Sequence, residues 1–150
     1  MITRLSHSTL FVLDYDQALD FYVGKLGFEV RNDVKMDNGF RWVTVYAKDN
    51  PELEIILYEP HPLGQIDQET ADQLRSLLEK GVLGNGVFAT DDCRKTYQEL
   101  KAKGVEFIQP PKETFYGVEA VFKDGCVNWF SLTERKASTP INSARSVPLG

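Results

Sequence analysis

From Arg4 to Leu13 the chain reads RLSHSTLFVL. Polar and apolar side chains nearly alternate and branched or aromatic residues dominate, which predicts a strand. Asp14 then opens a helix, with Gln17 at capping-box spacing. Ala18, Leu19, Phe21, Tyr22 and Leu26 form its apolar stripe, and Gly27 ends it. Strands are predicted over 28–36, 40–48 and 53–59, separated by the turns Asp37-Asn38-Gly39 and Asp49-Asn50-Pro51. Glu59-Pro60-His61-Pro62-Leu63-Gly64 interrupts regular structure. A second helix follows, with Thr70 and Gln73 as a capping box, Ala71, Leu74, Leu77 and Leu78 as its apolar face, and Gly81 at its end.

The pattern restarts near residue 84. Asn85 to Thr90 reads as a strand, Asp91 opens a helix that Gly104 closes, and strands follow over 105–109, 117–123 and 127–133. Asp14 to Gly27 and Asp91 to Gly104 are equally long. The exits Gly27-Phe-Glu-Val30 and Gly104-Val-Glu-Phe107 also match. Strand, helix and three strands thus occur twice, offset by 77 residues. This divides the chain into a first module (1–60), a linker with a helix (61–83), a second module (84–134) and a tail (135–150). The tail is rich in Ser and Pro with few apolar residues, and is expected to be disordered or docked on a partner subunit.

This order, together with Asp14-Tyr-Asp-Gln-Ala-Leu-Asp-Phe-Tyr-Val-Gly-Lys-Leu-Gly-Phe28, resembles the vicinal oxygen chelate superfamily, which includes glyoxalase I, bleomycin-resistance proteins, extradiol dioxygenases and fosfomycin-resistance enzymes. Asp124 through Leu132 is similar to the closing Asp-Pro-x-Gly-Asn turn and final strand of that family, with Gly125 for Pro and Val127 for Gly. The resemblance covers about residues 3–134. It implies an α+β fold: two βαβββ modules whose sheets form an open, eight-stranded, barrel-like cavity with the helices outside, often in a homodimer. It does not select a reaction, because this fold hosts many.

In metal-using relatives, four strands each supply one ligand to a divalent ion. Carried onto this chain, those positions fall on His7, Ile56, Asn85 and Ser131. Only His7 is a strong ligand, and no carboxylate balances the charge of a hard cation. The 77-residue offset pairs His7 with Gly84 instead of Asn85. Glu54 lies two residues before Ile56, on the same strand face, so a weak two-ligand site of His7 and Glu54 is the form a metal site would take. His61, between two prolines, gives no reason to be placed at the site. The simpler reading makes His7 a satisfied interior or subunit-contact histidine, Asn85 a partner for backbone groups, and Ser131 a small residue that makes room.

Alternation sketches the face that would line the cavity. The first strand contributes His7, Thr9 and Phe11. The third contributes Trp42, Thr44 and Tyr46, the fourth Glu54, Ile56 and Tyr58, the fifth Asn85, and the last Trp129 and Ser131. An aromatic pocket with a few polar handles is the usual composition of a small-molecule site. A chain of 150 residues, 42% hydrophobic, suits such a domain. Its net charge of −5 and its pI near 5.1 argue against nucleic acid as a partner. No apolar run reaches membrane-spanning length, and no signal-like start is visible. Cys93 and Cys126 lack metal-ligand spacing and read as reduced thiols of a cytoplasmic protein. The expectation is a homodimer that binds a small aromatic or hydrophobic molecule, with no cofactor. The alternatives are a divalent-metal-dependent lyase, isomerase or dioxygenase of the glyoxalase type, and a dimeric partner for another protein that engages through the tail.

Overall fold

The computed structural model describes residues 1–125 and 127–136, and of Asn85 the backbone alone. The expected disorder of the tail beyond Lys136, and Cys126, lie outside these residues. The described chain forms two four-stranded sheets, each from one copy of the repeat. Two compact units emerge. The first comprises Met1–Asn85 with the turn Lys123–Trp129; the second comprises Gly86–Phe122 and the chain from Phe130.

In the first unit, β1 (His7–Phe11), β2 (Glu29–Lys35), β3 (Arg41–Ala47) and β4 (Asn50–Tyr58) lie in the order β1-β4-β3-β2. β1 runs parallel to β4, with His7 opposite Glu54, Thr9 opposite Ile56 and Phe11 opposite Tyr58. The other pairs are antiparallel, and β2 carries a bulge between Val30 and Asn32. One sheet face is dry because alternate positions are apolar: Leu10, Val43, Val45 and Leu57 are buried there.

The helix after β1 buries Ala18, Phe21 and Tyr22. It is α-helical only as α1 (Tyr15–Leu19) and continues as a π-helical stretch, Asp20–Lys25. There the Leu26 amide bonds the Phe21 carbonyl, five residues back, at 3.0 Å. The wider turn sets neighbouring side chains at a smaller angle, so the adjacent Phe21 and Tyr22 both reach the core. Asp14 caps α1 by accepting from the Gln17 amide at 2.8 Å. The Gln17 side chain does not complete a capping box; it donates to the Gly125 carbonyl at 2.7 Å. α2 (Gln68–Glu79) starts earlier than the Thr70 expectation, because Asp67 is its cap and accepts from the Thr70 amide. Arg75 of α2 donates to the carbonyls of Leu13 (3.3 Å) and Pro60 (3.4 Å) and pairs with Glu59 (3.5 Å), which ties the proline-rich joint to the sheet.

A buried polar cluster holds the turn that precedes the last strand. Asp124 and Asn128 are 6% and 1% exposed. Tyr22 donates to Asp124 Oδ2 at 2.6 Å. The Asn128 amide donates to Asp124 Oδ1 at 3.0 Å, and its Nδ2 donates to Asp124 Oδ2 (3.0 Å) and to the Phe11 carbonyl (2.7 Å). A carboxylate buried this deeply is tolerated only when its oxygens are met by donors.

In the second sheet, β5 (Gly84–Ala89), β6 (Phe107–Glu113), β7 (Gly117–Lys123) and β8 (Trp129–Arg135) lie in the order β5-β8-β7-β6. α3 (Cys93–Ala102) is capped by Asp92, not Asp91. Its core is aromatic: Phe122 meets Phe130, Phe107 and Phe88 at ring separations of 5.7, 5.7 and 6.1 Å, and Tyr97 meets Phe107 edge-on at 4.6 Å. Cys93 is a free thiol, fully buried, and burial pushes its ionisation up, so it is an inert core residue. β6 runs on through Pro110 and Pro111, which the sequence marks as breakers. It is an edge strand with register shifts on either side of Gln109, where prolines are tolerated. β8 extends to Arg135, past the predicted end at 133.

Replacing Asn128 with Ala removes two side-chain donors from buried acceptors. The expected cost is about 2–3 kcal/mol of unfolding free energy, measured by urea denaturation. A change within about 0.5 kcal/mol would mean the cluster does not hold the turn.

Candidate functional site

The face of the first sheet opposite its core collects His7, Thr9 and Phe11 from β1, Glu54, Ile56 and Tyr58 from β4, and Trp42, Thr44 and Tyr46 from β3. Their register places them side by side. The residue opposite His7 is Glu54, two residues before the position carried over from the family pattern. His7 Nε2 lies 3.0 Å from Glu54 Oε2. Ile56 sits between Thr9 and Thr44 and supplies only apolar surface.

Glu54 is the centre of a polar network. Its Oε1 accepts from Thr44 Oγ1 at 2.9 Å and lies 3.4 Å from Asn32 Nδ2, which also donates to Thr44 Oγ1 at 2.9 Å. The His7 ring meets Ser6 Oγ through Nδ1 at 3.0 Å. Thr44 is wholly buried, and the His7 side chain is 42% exposed. Asn32 is absent from the sequence-based list, which assigned no residue of β2 to this face; the register sets it opposite Thr44. Arg31, beside the bulge, lies over the Tyr46 ring at 4.2 Å and donates to the Pro51 carbonyl at 2.8 Å.

The other end of this face is aromatic. Phe11 meets Tyr58 edge-on at 5.6 Å, and Phe40 lies 5.9 Å from Tyr58 and 6.4 Å from Trp42. His61, which the sequence gave no reason to place here, stacks on Tyr58 at 4.9 Å and packs against Phe40 at 5.2 Å. The prolines around it turn the joint back over the end of β4. Along β4, Glu54 and Tyr58 stand about 13 Å apart at the usual rise per residue. The face therefore grades from a hydrogen-bonded carboxylate to a cluster of rings.

In the second unit, Ser131 is buried and donates to Glu119 Oε2 at 2.7 Å. Tyr116 donates to the same oxygen at 2.8 Å, and Thr133 lies 3.1 Å from Ser131 Oγ. The sequence reading missed Glu119, although its signal was available: it alternates with the buried Val118, Ala120 and Phe122 of β7. Asn85 belongs to β5, and its side chain lies outside the described atoms. Trp129, 37% exposed, lies against Gly84. A Cβ built on that glycine would come within 2.2 Å of the indole Cζ2. Gly84 is also the repeat counterpart of His7, so an indole occupies the space where a ligating side chain would project.

His7 and Glu54 supply two donors, and Glu54 is already engaged by Thr44 and Asn32. Among the described residues, no three His, Cys, Asp or Glu side chains converge as metal ligands. The arrangement is that of a contacting His7–Glu54 pair beside an aromatic wall.

A Gly84→Ala chain must displace the Trp129 ring. The expected result is red-shifted tryptophan emission and a loss of about 1–3 kcal/mol in stability, read by fluorescence and urea unfolding. Unchanged emission would show that the indole does not rest on this glycine.

Known proteins share this architecture. The Glyoxalase/Bleomycin resistance protein/Dioxygenase superfamily profile matches residues 4–132. The crystal structure of UcmS2 is similar at 48% identity and a TM-score of 0.83, covering 89% of this chain and 99% of that one. TnmS3, an antibiotic binding protein from Streptomyces sp. CB03234, is similar at 25% identity and a TM-score of 0.70, covering 90% and 98%. Bacillus subtilis YurT is 34% identical over 130 residues, which are 85% of this chain and 96% of YurT. With its duplicated βαβββ order and a family match over nearly the whole described length, this chain belongs to the Glyoxalase/Bleomycin resistance protein/Dioxygenase superfamily.

Proposed function

We propose that the protein binds a small aromatic or hydrophobic molecule against the graded face of its first sheet, without a catalytic metal. The observation that carries this reading is the division of that face. Trp42, Phe40, Tyr58 and Phe11 provide ring surface at one end, and the His7–Glu54–Thr44–Asn32 network provides polar contacts at the other. A planar ligand would stack at the aromatic end, where exclusion of water from both ring faces supplies most of the affinity. The network would orient it, because Glu54 is held by its neighbours and His7 remains partly open to solvent. The similarity to TnmS3, an antibiotic binding protein, supports a sequestering role over a reaction.

Fluorescence titration with planar aromatic probes such as 8-anilinonaphthalene-1-sulfonate tests this. In a Trp129→Phe background, saturable quenching of Trp42 is expected, and Trp42→Ala should weaken probe binding at least about tenfold, or about 1.4 kcal/mol. Absence of saturable quenching would overturn the reading. So would stoichiometric Ni²⁺, Zn²⁺, Mn²⁺ or Fe²⁺ that is lost in His7→Ala, which would favour a metal-dependent lyase, isomerase or dioxygenase.

A further inference from the structure

Along β7 one charged residue stands between buried apolar neighbours. Val118, Ala120 and Phe122 are buried, and the partly exposed Glu119 takes the opposite face. Glu119 Oε2 accepts from Ser131 Oγ at 2.7 Å and from the Tyr116 hydroxyl at 2.8 Å. A hydroxyl has one proton. With that of Ser131 committed to the carboxylate, Thr133 is the donor in the 3.1 Å contact between Thr133 Oγ1 and Ser131 Oγ. Three O–H groups therefore run through one network toward a single carboxylate, and each bond polarises the next. The hydrogen bond to Glu119, reinforced by the charge of the carboxylate, holds the Tyr116 ionisation above the ordinary phenol range, so Tyr116 stays a donor at neutral pH.

Two features leave this carboxylate open. Its other oxygen, Oε1, has no hydrogen-bond partner among the described residues and is not one of their buried unpaired atoms, so it is accessible to solvent. Its charge is also unmatched: no Lys, Arg or His side chain among the described residues is paired with it. Lys112 lies opposite Glu119 in the β6–β7 register, yet forms no ion pair with it.

With all three hydroxyl protons directed inward, the network presents lone pairs and a negative charge. An anion would be repelled, and a neutral acceptor would find no proton to share. The complementary partner is a cation that brings its own donors, and an ammonium group brings three. Ring surface lies beside the carboxylate: Tyr116, which bonds it, is met edge-on by Phe115 at 4.9 Å, and Phe115 is 89% exposed. Because Oε2 is already held by two hydroxyls, the Glu119 side chain has little freedom left to lose when a ligand arrives.

We infer that Glu119 is the counter-ion of a binding site for a small primary amine in its ammonium form, whose apolar body lies against the Tyr116 and Phe115 rings. The site belongs to the second unit alone and stands whether or not the first sheet takes an aromatic ligand.

Benzylamine and benzyl alcohol share a ring and differ in the charged group. Titrated into the full chain at neutral pH and physiological ionic strength, and followed by ¹H–¹⁵N NMR, they test the assignment. Benzylamine should shift the amides of Tyr116, Glu119 and Ser131 saturably, and benzyl alcohol should bind at least about tenfold more weakly. Glu119→Gln keeps an oxygen that accepts from Ser131 and Tyr116 but removes the charge, and should weaken benzylamine binding at least about tenfold. Unmoved amides would mean that Oε1 is met by water alone and would overturn the assignment. It is equally overturned if benzyl alcohol matches benzylamine, or if the Glu119→Gln chain, folded by its amide spectrum, binds benzylamine as the parent does. It also fails if the amide of Glu106, an exposed carboxylate, shifts with the same affinity, which would mark unselective ion pairing. Should Glu119→Gln not fold, the comparison of amine with alcohol on the parent decides by itself.

Discussion

At the foot of β8 a carboxylate has been taken almost entirely out of water, and Tyr22 and Asn128 meet its oxygens. Removing a charge from solvent costs several kcal/mol unless donors replace the lost hydration. The geometry that meets this requirement has few solutions. Tyr22 must come from the π-helical stretch, Asn128 must close the turn back on Asp124, and the second donor of Asn128 must find the Phe11 carbonyl. That last bond fixes the end of β1, the strand that carries His7, Thr9 and Phe11. Asn128 also precedes Trp129, so the same cluster sets where the indole begins. The aromatic end of β1 and the start of β8 are thus both tied to this one desolvated group.

On that frame the chain places chemistry that is already satisfied. Glu54 is a carboxylate two residues before the position at which the resemblance places a ligand, and it is engaged by His7, Thr44 and Asn32. Ser131 likewise spends its proton on Glu119, which also receives Tyr116. Self-contained networks of this kind hold a surface in one shape and present few free valences to a substrate. Most of the unspent capacity lies elsewhere, in the partly exposed rings of Phe11, Phe40 and Trp42. A binding surface needs shape and a few polar handles, whereas a Lewis-acid centre needs convergent, available donors.

The architecture was legible because its signals are local and repeated. Period-2 alternation marked the strands, glycines marked the helix ends, and the 77-residue offset exposed the duplication. Features that depend on a neighbour were not legible. The π-helical stretch answers the need to bury two adjacent aromatics. The bulge in β2 shifts the pairing between Val30 and Asn32, and Asn32 lies opposite Thr44. The prolines of β6 are acceptable only because that strand lies at an edge. The same holds at the site: His7 and Glu54 were both visible, but their apposition is a property of register, which no single strand encodes. His61, flanked by prolines, gave no reason in the sequence to be placed at the site, yet it stacks on Tyr58.

The contact between Trp129 and Gly84 has a consequence for how this sequence can change over time. A ligating side chain at position 84, the repeat counterpart of His7, would need the volume the indole fills, since even a methyl group there would lie 2.2 Å from the ring. Shrinking Trp129 first would leave a void and strip the glycine strand of its cover. Either single step lowers stability before any new donor set could repay it, and proteins have only a few kcal/mol in reserve. The pair therefore acts as a ratchet. The route toward a ligating side chain at position 84 runs through a valley that two substitutions must cross together.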